Sequence, residues 1–91
     1  MKIEIESFYL KNGDQSNVVS LPWRKYPGIV IQGDTLNSYV NRLHHMLDLA
    51  KSKNNQGLID ELEDLYQNLL GHQKNYEEIL SNNQTELPYV K

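Results

Sequence analysis

The first residues of the chain alternate apolar and polar side chains, which is the period of a half-buried β-strand. Ile3 and Ile5 fall on one face, between glutamates that fall on the other, so the pattern predicts a strand over residues 2–10. The alternation changes phase near Ser7, and this predicts a β-bulge or the end of the strand there.

Two further short strands are predicted before the pattern changes. A polar segment with an Asn-Gly pair, residues 11–17, leads into a second strand over 17–21, and the two strands are expected to pair as a hairpin. Pro27 and Gly28 favour a type II turn. Residues 29–31 are apolar at every position, which is typical of a strand that is covered on both faces.

From Thr35 onward the apolar residues recur every three or four positions, as in a helix packed along one side. Asp34 is well placed to cap this helix, and the polar residues 51–57 predict a connection to a second helix. The first helix carries its apolar stripe at Leu36, Tyr39, Val40, Leu43, Met46, Leu47 and Ala50. The second helix carries a nearly heptad seam at Leu58, Leu62, Leu65, Leu69, His72, Tyr76 and Ile79, and this seam is broadened by Ile59, Tyr66, Leu70 and Leu80. Such a seam suits packing against the first helix or against a second copy of the chain.

These elements predict an α+β fold in a single domain, residues 1–91. A small antiparallel β-sheet of two to three strands is expected to pack on an antiparallel two-helix hairpin. The β part takes residues 1–34, the helical hairpin takes 35–82 and a tail takes 83–91, with Leu87–Val90 expected to dock back.

The composition and net charge indicate which broad classes of protein the chain can belong to. Apolar residues make up 38% of the 91 positions, which is low for a self-sufficient domain and predicts a homo-oligomer, a dimer or a larger assembly. The net charge of −3 argues against non-specific nucleic-acid binding. No stretch approaches 18 apolar residues, so no membrane association is predicted. The absence of cysteine is compatible with a reducing compartment, and we expect a cytoplasmic protein.

The strongest candidate for a binding site is the segment Trp23, Arg24, Lys25 and Tyr26, which places two cations between two aromatic residues. Arg24 and Lys25 suit an anion, and Trp23 or Tyr26 suits stacking on a flat group such as a nucleobase. This pattern predicts a ligand-binding loop over residues 23–28.

The chain returns through Gln32, Gly33 and Asp34 at the predicted helix start, where free backbone N–H groups favour an anion. Asp34 in a cap position would satisfy those donors itself and repel a phosphate. In a second interpretation, Trp23 fills the small core and Arg24 pairs with Asp34, so that the turns are only structural. The sequence leaves both interpretations open.

No metal, cofactor or catalytic site is predicted. His44 and His45 are adjacent, so on a helix they point about 100° apart and do not share a metal ion. His72 is interpreted as a partly buried histidine on the seam. The chain has no cysteine nucleophile and no phosphate-binding glycine loop. The acidic residues at the start of the second helix are expected to face solvent, and they are Asp60, Glu61, Glu63 and Asp64.

Residues 24–36 resemble the signature of a family of small bacterial proteins of unknown function. That signature is Arg-x-x-Pro-Gly, three aliphatic residues, Gln-Gly-Asp, Ser or Thr, and Leu, with a Leu-Pro pair near the C-terminus, here Leu87 and Pro88. The resemblance implies no activity. It adds weight to Arg24, Pro27, Gly28, Gln32, Gly33 and Asp34.

Two functional hypotheses follow. The first is a non-catalytic binding protein that senses or sequesters a small anionic or nucleotide-like signalling ligand through residues 23–28 and 32–34. The alternative is an immunity or antitoxin protein that neutralises a protein partner through the acidic face of its second helix. That face carries Asp60, Glu61, Glu63, Asp64, Glu77 and Glu78. An architectural oligomer without a ligand is a third option.

Overall fold

The computed structural model describes residues 4–91 and has an α+β fold with three antiparallel strands and two helices. The sheet and helix pair predicted from the sequence are therefore confirmed. The elements are β1 (Glu6–Tyr9), β2 (Gln15–Ser20), β3 (Gly28–Ile29), α1 (Gly33–Ser52) and α2 (Gln56–Asn82). The prediction for Ile3 lies outside the described residues. The chain divides into two compact units at Ile31 and Gln32, and the packing of the sheet on the hairpin stays a prediction.

The first unit is built on the hairpin of β1 and β2, to which β3 adds in the order β1-β2-β3. Ser7 pairs with Val19, but two residues later Tyr9 pairs with Gln15. This shift of register confirms the irregularity predicted near Ser7. The shift lies within β1, and of the described part of the predicted strand, residues 4–10, only Glu6–Tyr9 form the strand.

The turn of this hairpin follows the Asn-Gly pair. Gly13 takes a φ of 89°, a left-handed conformation that glycine adopts without steric cost. The Leu10 N–H donates to the Asp14 carbonyl at 2.7 Å, and the Asp14 N–H donates to the side-chain oxygen of Asn12 at 3.0 Å. The predicted turn at the Asn-Gly pair is confirmed, but the polar segment is shorter than the predicted 11–17, because β2 begins at Gln15 and ends at Ser20.

The prediction of a type II turn at Pro27 and Gly28 is wrong. Such a turn needs a positive φ at the glycine, whereas Gly28 belongs to β3 and pairs with Val19 in extended conformation. The chain reverses earlier, where the Arg24 N–H donates to the Leu21 carbonyl at 3.0 Å.

The apolar triplet after that turn is exposed within its own unit. Ile29 is 68% exposed, and Val30 and Ile31 are each 50% exposed. The Val30 N–H donates to the Asn17 carbonyl at 2.7 Å, so the backbone is held although the side chains are not covered. The prediction of a strand covered on both faces is therefore wrong for this unit, because residues 4–31 supply no second layer.

The second unit is the hairpin of α1 and α2. Its buried apolar residues lie on the predicted stripe of α1, and among the described residues they are Val40, Leu43, Leu47 and Ala50. Tyr39 and Met46, from the same stripe, remain 43% and 40% exposed. Neither helix in the described part of the chain is both long enough and apolar enough to cross a membrane.

The more buried face of α2 lies on the side of the residues that broaden the predicted seam, such as the part-buried Tyr66. Leu58 and Leu65 are 46% and 50% exposed, whereas Gln73, which is not on the seam, is only 6% exposed. The Gln73 amide donates to the side-chain oxygen of Asn37 at 2.8 Å. The buried amide of Gln73 therefore has a hydrogen-bond partner across the hairpin.

Asparagines make the connection between the helices. Asn54 takes a φ of 56°, and the side chain of Asn55 accepts the Leu58 N–H at 3.2 Å, which caps α2. Gly57 therefore lies inside α2, and the predicted connection over 51–57 is too long.

The tail docks on α2 of the same chain. Gln84 takes a φ of 56°, and the Thr85 N–H donates back to the Leu80 carbonyl at 2.8 Å. Farther along, the Tyr89 hydroxyl donates to the Glu77 carboxylate at 3.0 Å. The predicted docking of the tail is confirmed for Tyr89, whereas Val90 is 94% exposed and does not dock.

Candidate binding site

The loop after β2 begins with a tight turn from Leu21 to Arg24. Pro22 occupies the second position of this turn, where its fixed φ is favoured. The turn carries the following residues out of the sheet, and every residue from Pro22 to Gly28 is exposed.

The aromatic side chains of this loop are open to solvent. Trp23 is 63% exposed and Tyr26 is 73% exposed. Within residues 4–31 Trp23 therefore fills no core, and the purely structural interpretation of this side chain is wrong for this unit. Exposed large aromatics are typical of surfaces that bind a ligand or a partner.

The cations lie between these aromatics along the loop. The Lys25 ammonium is 5.3 Å from the centroid of the Tyr26 ring, a cation–π distance. Within the described residues of this unit, 4–31, neither Arg24 nor Lys25 forms an ion pair. The loop thus presents positive charge and aromatic surface together.

The residues 32–34 have a different geometry from the one predicted. Gln32 is the N-cap of α1 and makes no side-chain capping hydrogen bond. Asp34 lies inside the first turn, and its carboxylate accepts the Thr35 N–H at 2.9 Å. The prediction that Asp34 is the N-cap is therefore wrong, although its charge still complements the helix dipole.

Gly33 is explained by packing in the hairpin. It is buried, and a Cβ atom at this position would overlap the ring of Tyr76 on α2. The absence of a side chain lets the first turn of α1 approach that ring closely.

The predicted site residues fall in both units. Trp23, Arg24, Lys25 and Tyr26 belong to the unit that ends at Ile31, and Gln32, Gly33 and Asp34 belong to the unit that follows. A single site that joins the two sets stays a prediction, and so does the pairing of Arg24 with Asp34.

Of the three histidines, His44 contacts other side chains of the hairpin. His44 lies 3.6 Å from the Asp48 carboxylate on the next turn, and its ring centroid is 5.5 Å from that of Tyr66 on α2. His45 and His72 are exposed, so the interpretation of His72 as a partly buried histidine is wrong. In residues 4–91 no cluster of three or more His, Cys, Asp or Glu side chains is arranged to hold a metal ion.

The acidic start of α2 is bonded to neutral amides. Gln56 donates to Asp60 at 2.8 Å, and Gln67 donates to Glu63 at 2.9 Å. No ion pair to these carboxylates is found within the described part of the hairpin. The start of α2 therefore keeps its negative charge uncompensated.

A polar cluster at the tail was not predicted from the sequence. The Glu77 carboxylate accepts the Tyr89 hydroxyl and lies 3.8 Å from the Lys91 ammonium. Burial, together with the neighbouring Glu77 charge, raises the pKa of the Tyr89 phenol above its usual value. Glu77 is thus engaged within the chain and is not part of a free acidic face.

The family model for a family of unknown function (DUF6959) matches residues 2–89, almost the whole chain. The chain belongs to DUF6959. The predicted resemblance to a family of unknown function is thereby confirmed at the level of the family, while the signature over residues 24–36 stays a prediction. No curated protein and no solved structure matches this DUF6959 chain.

Proposed function

We propose that this protein is a non-catalytic binding protein for a small anionic ligand with a flat group, such as a signalling nucleotide. The observation that supports this most is the loop 22–28, where Arg24 and Lys25 lie exposed between two exposed aromatic residues. The role would be to sense or sequester the ligand, and we propose that it acts in the cytoplasm.

Each loop residue has a distinct part in this proposal. The Arg24 guanidinium binds a phosphate or carboxylate in a bidentate fashion, and Lys25 adds a point charge. Trp23 or Tyr26 stacks on the flat group, which is worth about 1–3 kcal/mol per base. Gln32 and Asp34 would hydrogen-bond an edge of the ligand, and Gly33 would contribute only through the packing of α1.

The experiment uses Trp23, the single tryptophan of the chain, as a probe that lies in the site itself. Tryptophan emission is followed while nucleotides are added, and a stacked base is expected to quench it. A melting-temperature series with the same nucleotides provides an independent readout, because a ligand that binds the folded state stabilises it.

Arg24→Ala is expected to weaken binding by roughly 10–100-fold, since a hydrogen bond to a charged group is worth about 1.5–3 kcal/mol. Lys11→Ala, an exposed cation in the turn before β2, is the matched control and should bind as the wild type does. If no nucleotide changes either readout at millimolar concentration, the proposal is wrong.

A second candidate function is the neutralisation of a basic protein partner. It is supported by the uncompensated carboxylates at the start of α2, where Asp60, Glu61 and Asp64 are exposed. Asp60→Lys combined with Glu63→Lys should then abolish co-purification with such a partner. Glu86→Lys, an exposed carboxylate of the tail, is the control and should not.

A further inference from the structure

One side of the helical hairpin carries an apolar surface that α1 and α2 share. We call this surface the hairpin flank, and its apolar residues are Tyr39, Met46, Leu49, Leu58, Leu62, Leu65 and Leu69. Two shallow grooves show that both helices contribute to it. Tyr39, Arg42 and Met46 line one groove together with Leu69, and Met46 and Leu49 line the other together with Leu58 and Leu62.

The spacing on the flank is that of a packed helix interface. On α1, Tyr39 and Met46 are seven residues apart, and Leu49 follows three residues after Met46. On α2, the four leucines of the flank follow one another at spacings of four, three and four residues. A heptad seam normally faces another helix. The buried stripe of α1 already packs against α2. The flank is therefore a second seam, and the hairpin itself has no further helix to pack against it.

The exposed area of the flank is large enough for a specific interface. Tyr39, Met46, Leu49, Leu58 and Leu65 are each between 40% and 52% exposed. If a whole side chain of this size offers about 200 Å², these five alone expose roughly 450 Å². If a second copy covered this area completely, the two copies together would bury about 900 Å² of apolar surface. Leu62, Leu69 and the polar rim add further area toward the roughly 1,000 Å² of a specific contact.

The charges at the edges of the flank are complementary between the two helices. Arg42 and Lys53 border it on α1, and Glu61 lies between Leu58 and Leu65 on α2. A two-fold axis along the helices would place α1 of one copy on α2 of the other. The basic edge of one copy then meets the acidic edge of the other twice.

The hairpin also lacks a large core of its own. No described side chain is less than 2% exposed, and the buried apolar side chains of the described residues come from α1 alone. Small domains usually complete such a core through oligomerisation.

We propose that a second copy of the chain covers the hairpin flank and that the two hairpins form an antiparallel four-helix bundle. This inference does not depend on the binding loop, and it assigns the flank to a self-complementary interface. Face-to-face hairpins with alternating antiparallel neighbours are a stable bundle arrangement.

The test measures the molar mass of the full chain by light scattering or sedimentation at about 10–100 µM. The wild type should have twice the mass of the chain. Leu65→Glu should weaken dimerisation at least about 100-fold, because it buries an unpaired carboxylate one turn from Glu61. Met46→Glu should weaken dimerisation less, because Arg42 lies one turn away and can pair with the new carboxylate. Both positions are about half exposed in one copy, so far-UV circular dichroism should show that the helices persist.

Asn41→Glu is the matched control, because it adds the same charge at an exposed position of α1 outside the flank. It should remain a dimer. A wild-type chain that stays monomeric at 100 µM overturns the proposal and leaves the flank to residues 4–31 or to a different partner. A dimer that survives both glutamate variants also overturns it, because its interface then lies elsewhere.

Discussion

Substituting two of the three helical glycines of the hairpin, Gly33 and Gly71, should change stability in opposite directions. Gly33 opens α1, and an added Cβ would overlap the hydroxyl end of the Tyr76 ring. Gly71 lies within α2, is exposed, and an added Cβ there has no neighbour within 4 Å. The same glycine-to-alanine substitution therefore adds a methyl group against an aromatic ring at Gly33 and in open space at Gly71.

The expected magnitudes come from two competing effects. Alanine is favoured over glycine in a helix interior by about 0.5–1 kcal/mol, and Gly71→Ala should gain roughly that amount. At Gly33 the overlap forces the Tyr76 ring to move, and overpacking of this kind costs about 1–3 kcal/mol. The steric term wins, so we expect Gly33→Ala to lose roughly 1–2 kcal/mol.

Urea unfolding followed by far-UV circular dichroism measures both effects at one protein concentration. If the free energy of unfolding falls by about 1 kcal/mol per molar urea, Gly33→Ala should lower the urea midpoint of unfolding by roughly 1–2 M. In a Tyr76→Leu background, where the ring is absent, Gly33→Ala should cost much less, and this double-mutant cycle isolates the contact.

The packing account of Gly33 is refuted if Gly33→Ala is as stable as the wild type. It is also refuted if the loss is the same with and without the Tyr76 ring. A stable Gly33→Ala chain that no longer binds a nucleotide would instead place Gly33 in the ligand site.

Two further predictions concern the polar contacts of α2. The raised pKa of Tyr89 means that the folded state holds the phenol proton more tightly than the unfolded state does. Its contribution to stability is therefore complete below about pH 10 and is lost as the pH rises further. In Tyr89→Phe the urea midpoint of unfolding should therefore fall less than in the wild type as the pH rises above about 10. Gln73→Leu should cost about 1 kcal/mol in the same urea assay, because the half-buried Asn37 amide loses its partner. Adding Asn37→Val should recover most of that loss, and no recovery would show that the hydrogen bond is not the cause.

Local sequence patterns predicted most of the secondary structure. The strand alternation and its phase change located the irregularity near Ser7, because pleat and side-chain direction are coupled residue by residue. The period of three and four located α1 and its buried stripe through Leu43 and Leu47. Element boundaries were less accurate where several residues compete for one turn, as at Asn55 and Gly57.

The candidate loop was found from residue types alone, since cations between aromatics stand out in any context. The roles of the residues after it were not. Asp34 looked like a cap, but α1 begins one residue before it, at Gly33. Gly33 looked like a turn residue, yet the reason for it is a ring 43 positions farther along the chain.

The sequence by itself determined the elements and the length of the helical hairpin, because strand and helix periods and turn residues act over a few positions. Only the tertiary structure decided which side of α2 meets α1. The heptad of Leu58 and Leu65 identifies an apolar side of α2 but not the helix that packs on it. Gln73, in contrast, is buried with its amide bonded to Asn37 across the hairpin. Such a pairing depends on two residues that are distant in sequence, and so no local pattern contains it.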